Sequence, residues 1–63
     1  MLSAFITGLA GLDLTARESS VLRQARPSGI VLFARNVADP DQVRRLIGDA
    51  RAAIGADDVL VLI

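Results

Sequence analysis

Three apolar runs separated by two stretches of helical periodicity organise the 63-residue chain. The first run, Ser3-Ala-Phe-Ile-Thr-Gly8, is short, carries Phe5 and Ile6 at its centre and ends on glycine, which suits a buried strand. The second, Ile30-Val-Leu-Phe-Ala34, and the third, Val59-Leu-Val-Leu-Ile63, are continuous rather than alternating, the mark of strands covered on both faces as in parallel sheets. Between the first two, Thr15-Ala-Arg-Glu18 has capping-box spacing: the threonine hydroxyl accepts from the backbone N–H three residues on, and the glutamate reaches back to the cap. A helix is therefore predicted over Ala16 to Ala25, with Val21, Leu22 and Ala25 as its apolar stripe. Pro27 ends it by biasing Arg26 away from helical geometry. Asp39-Pro-Asp-Gln42 starts a second helix, with Asp39 as N-cap, Pro40 at the first helical position and Gln42 three residues after the cap. Val43, Leu46, Ile47, Ala50 and Ile54 then share one face, while Arg44, Arg45, Asp49 and Arg51 take the other. Gly55 stands where a left-handed C-cap belongs, and Asp41 is expected to pair with Arg45 across one turn.

The predicted order is strand, helix, strand, helix, strand. Helical crossovers of this length make the sheet parallel and the connections right-handed, so the fold class is α/β. The last strand runs to Ile63 with no turn after it, and the expectation is that residues 1–63 are an incomplete N-terminal part of a larger domain. A chain of about 60 residues buries only about 60% of its unfolded surface, and open sheet edges invite self-association. Doubly wound sheets and eight-stranded barrels are both built from such units. A dinucleotide-binding sheet needs G-x-G-x-x-G opening directly into its helix, whereas Gly8-Leu-Ala-Gly11 offers only G-x-x-G followed by Leu12-Asp-Leu. The simpler reading of those glycines is a tight strand-to-helix turn.

Composition narrows the chemistry. Seven acidic side chains balance seven arginines, and there is no lysine, tyrosine or tryptophan. The chain thus lacks the basic patch and stacking platform of a nucleic-acid binder. Without cysteine or histidine it carries no thiolate, no disulfide and neither of the commonest zinc ligands, and it must work with carboxylates and arginines. The uncharged opening from Met1 to Leu12 lacks the basic n-region of a secretory signal, since Arg17 comes far downstream. It is also shorter than the ~20 residues of a membrane span. A cytoplasmic protein with no membrane partner is expected.

Ala4-Phe-Ile-Thr-Gly-Leu-Ala-Gly-Leu12, Leu14-Thr-Ala-Arg-Glu18 and Gly29-Ile-Val-Leu-Phe-Ala-Arg-Asn36, followed by Asp39-Pro-Asp-Gln-Val-Arg44, resemble the N-terminus of bacterial β-N-acetylhexosaminidases of glycoside hydrolase family three. The resemblance covers the whole chain and is most specific in Gly29 to Asn36 with the Asp-Pro-x-Gln helix start. It implies that the segment is the opening βαβαβ of a (β/α)₈ TIM barrel. It further implies a retaining glycosidase that removes terminal N-acetylglucosamine in muropeptide recycling, without metal or cofactor. Its aspartate nucleophile and its histidine acid/base would lie outside these residues, as would an Asp-Gln-Glu-Gly-Gly sequence continuing the third strand. The 63 residues alone are expected to be inactive, and no residue among them is expected to be catalytic or to touch the sugar.

In a barrel the carboxyl ends of strands carry function and their amino ends carry stability. Asp57 and Asp58 precede the third strand and are expected to be a solvated loop. Glu18 is expected to be used by its capping box, Asp13 to lie in a loop without a partner, and Arg44, Arg45 and Arg51 to form the outer face of the second helix. Arg35 and Asn36 leave the second strand at its functional end. Arg35 offers a planar fork for a carboxylate of substrate or of the next strand-to-helix loop, and Asn36 suits a turn that bonds its own backbone. Their expected role is to buttress the sugar-binding loop rather than to contact sugar. Two other classes stay open: a different barrel or phosphate-binding α/β enzyme, and a non-catalytic interaction domain using its open sheet edge.

Overall fold

The computed structural model describes residues 3–56 and 58–63, so Asp57 lies outside the described residues. The elements are β1 (Ser3–Gly8), α1 (Ala16–Ala25), β2 (Pro27–Val31), a single 3₁₀ turn (Ala34–Asn36), α2 (Pro40–Ile54) and β3 (Leu60–Leu62). The strands form one parallel sheet in the order β1-β2-β3, with Thr7 opposite Ile30 and Ile30 opposite Val61. The α/β class and the parallel sheet therefore follow the periodicity.

Both helix starts form as their spacing predicts. Thr15 and Glu18 complete a reciprocal capping box, and Asp39 accepts the Gln42 backbone N–H at 2.9 Å with Pro40 at the head of α2. Gly55 closes α2 at φ 82°, a left-handed conformation that glycine adopts without a Cβ clash. Arg26 takes the corresponding position after α1 at φ 47°, and its N–H caps the Leu22 carbonyl. Arg26 is held there from outside, because its Nε donates to the Ile54 carbonyl at the end of α2. One arginine thus ties together the C-terminal ends of both helices.

Strand boundaries differ from the apolar runs. β2 starts at Pro27, because the first residue of a strand can do without the N–H that proline lacks. It leaves regular pairing after Val31, although Leu32 N–H still reaches the Leu62 carbonyl at 2.7 Å. Phe33 N–H then goes to Asn36 Oδ1 instead of a neighbouring strand, so the apolar run outlasts the ladder. β3 likewise pairs only over Leu60–Leu62.

α1 and α2 pack side by side on one face of the sheet. Leu22 from α1, Leu46, Ala50 and Ile54 from α2, and Ile30, Leu32, Val59 and Leu9 form a single buried cluster. The other face is open. Ile6, Phe33, Leu60 and Leu62 remain 40–54% exposed, and Gly29 lies between Ile6 and Leu60. Phe5 on β1 is 42% exposed although its run reads as buried, since β1 is a sheet edge that no described element covers. Val21 is also exposed, which reduces the α1 stripe to Leu22 and the half-buried Ala25.

Among the described residues no helix is long and apolar enough to cross a membrane.

Candidate functional site

Parallel α/β proteins bind ligands at the carboxyl ends of their strands, where the strand-to-helix loops gather. Here those loops run from Leu9 to Leu14 after β1 and from Leu32 to Asp39 after β2. They are joined by side chains rather than by main-chain pairing. Asn36, fully buried, donates through Nδ2 to the Leu9 carbonyl at 3.1 Å and to the Gly11 carbonyl at 2.7 Å, while its Oδ1 accepts Phe33 N–H. Both functions of the amide are used, and the side chain is satisfied without water. Its expected bond to local backbone is present, and the two bonds to the β1 loop extend that role.

Arg35 points the same way. Its Nε donates to the Leu9 carbonyl at 3.0 Å, and its guanidinium carbon stands 4.8 Å over the Phe33 ring. Two contacts therefore orient the side chain, and its terminal nitrogens are left without a hydrogen-bond partner among the described residues. Among those residues the partner of Arg35 is a main-chain carbonyl of the preceding loop, not a carboxylate.

Glu18 grips the β1 loop from the other side. Its carboxylate accepts Ala10 N–H at 2.8 Å and Thr15 N–H at 3.1 Å. Burial alone would raise its pKa, but these bonds and the Thr15 side chain outweigh that and hold it below the usual glutamate value. The bond to Ala10 also bears on phosphate binding. A phosphate at Gly8 to Gly11 would need free backbone N–H groups, yet Ala10 N–H already binds an anion, and the Leu9 and Gly11 carbonyls face Asn36. This geometry disfavours a phosphate loop.

Gln42 is the residue that sequence reasoning missed. Instead of closing a capping box on Asp39, its side chain is buried and makes three bonds: Nε2 donates to the Leu12 carbonyl at 2.6 Å and to the Asn36 carbonyl at 2.8 Å, and Oε1 accepts Ala38 N–H at 2.9 Å. A signal was present, since Gln42 heads the series Gln42, Leu46, Ala50, Ile54, which recurs every four residues on the buried face of α2.

The remaining charges divide by face. Asp41 pairs with Arg44 at 3.0 Å rather than with Arg45, and Arg45 reaches Asp13 at 3.6 Å, which gives Asp13 a partner; both pairs are well exposed and contribute little. Arg51 is not on the outer face: it is half-buried, and its Nη2 donates to the Val59 carbonyl at the amino end of β3. Asp58 is exposed there, as expected of a loop on the stability side. No three carboxylates converge as metal ligands among the described residues. A cavity of about 180 Å³ between β1 and α1 is walled mainly by apolar side chains such as Phe5, Val21 and Leu22, with Glu18 at its edge already taken up by the capping box.

The order of elements, the parallel sheet and the joined loops define an α/β protein of the βαβαβ kind with a prepared carboxyl end. No protein-family model matches the chain. Individual relatives do: it is 42% identical over 45 residues to a β-hexosaminidase of Idiomarina loihiensis, covering 71% of this chain and 14% of the relative. It is 44% identical over 48 residues to one of Stenotrophomonas maltophilia, covering 76% and 14%. A β-hexosaminidase of Alkalilimnicola ehrlichii matches all 63 residues at 33% identity, over 18% of its own length. The resemblance to bacterial β-hexosaminidases is borne out: the chain is similar to a stretch of several of them at 33–44% identity. It spans less than a fifth of the length of these relatives.

Proposed function

We propose that these residues are the opening βαβαβ of a (β/α)₈ barrel in a glycoside hydrolase of family three that removes terminal β-linked N-acetylglucosamine. The similarity to proteins named β-hexosaminidase, extending in one case over all 63 residues, carries this reading. The sheet order supports it, because successive strands of a barrel are neighbours. In this reading the open sheet face turns toward the barrel interior, and the loops bearing Arg35 and Asn36 lie at the catalytic mouth. Their role there is to hold the mouth in shape, with the sugar contacted by other residues.

Retaining hydrolysis needs a carboxylate nucleophile and a group that protonates the leaving oxygen. With no histidine in this sequence, a histidine acid/base must come from elsewhere in the protein. The intact enzyme acts on N-acetylglucosaminyl muropeptides in the cytoplasm, as part of cell-wall recycling, and needs neither metal nor cofactor. The test is an assay of the full-length gene product on 4-nitrophenyl N-acetyl-β-glucosaminide and on a muropeptide, with the anomer of the released sugar followed by NMR. Release of the β-anomer is expected, and an enzyme that leaves both substrates intact overturns the reading. The 63-residue chain is expected to give no turnover; activity from it alone would contradict the assignment of catalysis to other parts of the barrel.

A further inference from the structure

Gln42 makes contacts that a helix cap does not require. Its main chain is fixed by the Asp39 carboxylate, and its side chain lies on the same face as Leu46, Ala50 and Ile54, so it is anchored in the core before it reaches the loops. From there its amide spans two carbonyls distant in sequence: Leu12, 30 residues away in the β1 loop, and Asn36, six residues away at the end of the 3₁₀ turn. Asn36 in turn holds Leu9 and Gly11, and the Leu9 carbonyl receives a second donor from Arg35 Nε. An unbroken chain of hydrogen bonds therefore runs from the core of α2 to Arg35, whose terminal nitrogens have no hydrogen-bond partner among the described residues.

We propose that Gln42 is a positioning residue: by holding the Leu12 and Asn36 carbonyls together it locks the first two strand-to-helix loops into one unit and sets where Arg35 presents its guanidinium. The consequence for catalysis rests on the glycosidase reading, whereas the clamp itself does not. Without Gln42 two carbonyls lose their donor, and the β1 loop keeps only the exposed Asp13–Arg45 pair as a polar side-chain link to α2 among the described residues. Misplacement of about 1 Å at a catalytic mouth costs up to about a hundredfold in rate.

Two variants in the full-length protein separate positioning from mere support. Gln42→Glu keeps the oxygen that accepts Ala38 N–H but removes both donors. Gln42→Met keeps the length and removes all three bonds. Both are expected to lower kcat about tenfold or more on the 4-nitrophenyl glycoside well below their melting temperatures, with KM changed much less. A carboxyl facing two carbonyls is held in its protonated form to higher pH, and once protonated it regains one donor. The Glu variant should therefore recover part of its kcat, relative to wild type, as the pH falls, and the Met variant should not. A purely structural residue would lower the melting temperature and leave both kcat and its pH profile unchanged, which overturns the proposal. Amide exchange provides a second arm independent of turnover. In the wild type, Ala38 and Phe33 N–H should be protected like the interior of α2, and exchange at open-loop rates overturns the clamp even if neither variant folds. A wild-type protein without turnover refutes the glycosidase reading and leaves these amides to decide the clamp.

Discussion

Gly29 shows how single positions in this sheet are constrained. A Cβ there would stand 3.0 Å from the Leu60 carbonyl oxygen and 3.3 Å from Ile6 Cγ1, so β2 could not keep its distance from both neighbours. Gly29→Ala is expected to destabilise by about 1–3 kcal/mol, read as a lowered denaturant midpoint, and an unchanged midpoint would refute the close approach. Glu18 carries a pH signature. Its folded pKa lies below the usual value of 4.5, so the stability it contributes is present above that value and is lost as the pH falls through the folded pKa. Melting temperatures of wild type and Glu18→Gln should converge as the pH is taken below about 4.5; a gap that persists at acid pH contradicts the carboxylate's role. Roles at this scale were unevenly legible. The Glu18 capping box follows from local spacing alone, because its partner is three residues away. The partners that Arg35, Asn36 and Gln42 find in the β1 loop are 25 to 30 residues distant and carry no local mark.

Elements were the most legible level. α1 and α2 begin and end where capping residues, proline and glycine place them, since those signals act within one turn. Replacing the cap of α2, Asp39→Ala, is expected to cost about 0.5–2 kcal/mol. Because the same helix start carries Gln42, amide exchange at Ala38 and Phe33 should accelerate with it; protection unaltered at both would show that the cap and the clamp are independent. The strands were read less well. Apolar runs mark which residues avoid water, whereas pairing depends on which N–H and C=O groups find partners. Phe33 belongs to the run but gives its N–H to Asn36, and Pro27 lies outside the run but opens the strand. β1 reads as buried by composition and is half-exposed because its burial depends on what lies beside the sheet.

The molecule as a whole is a two-layer unit, with helices on one face of the sheet and an apolar surface of Ile6, Phe33, Leu60 and Leu62 on the other. Both outer strands, β1 and β3, also leave one side unpaired within the sheet. Surfaces and edges of this kind associate, and the chain has no net charge to oppose it. The isolated 63-residue chain is expected to sediment well above its 6.6 kDa monomer mass and to melt without a sharp transition. A monodisperse monomer with cooperative unfolding would overturn that expectation. By itself the sequence determined the α/β class, where both helices start and end, and the turn from apolar to polar at Arg35 and Asn36 beyond β2, because each depends on periodicity or on neighbours within a turn. Tertiary structure alone decided that Gln42 is buried, that Arg35 binds the Leu9 carbonyl and that the two loops form one unit. Those bonds join groups that only the folding of β1 beside β2 brings within 3 Å or so of one another.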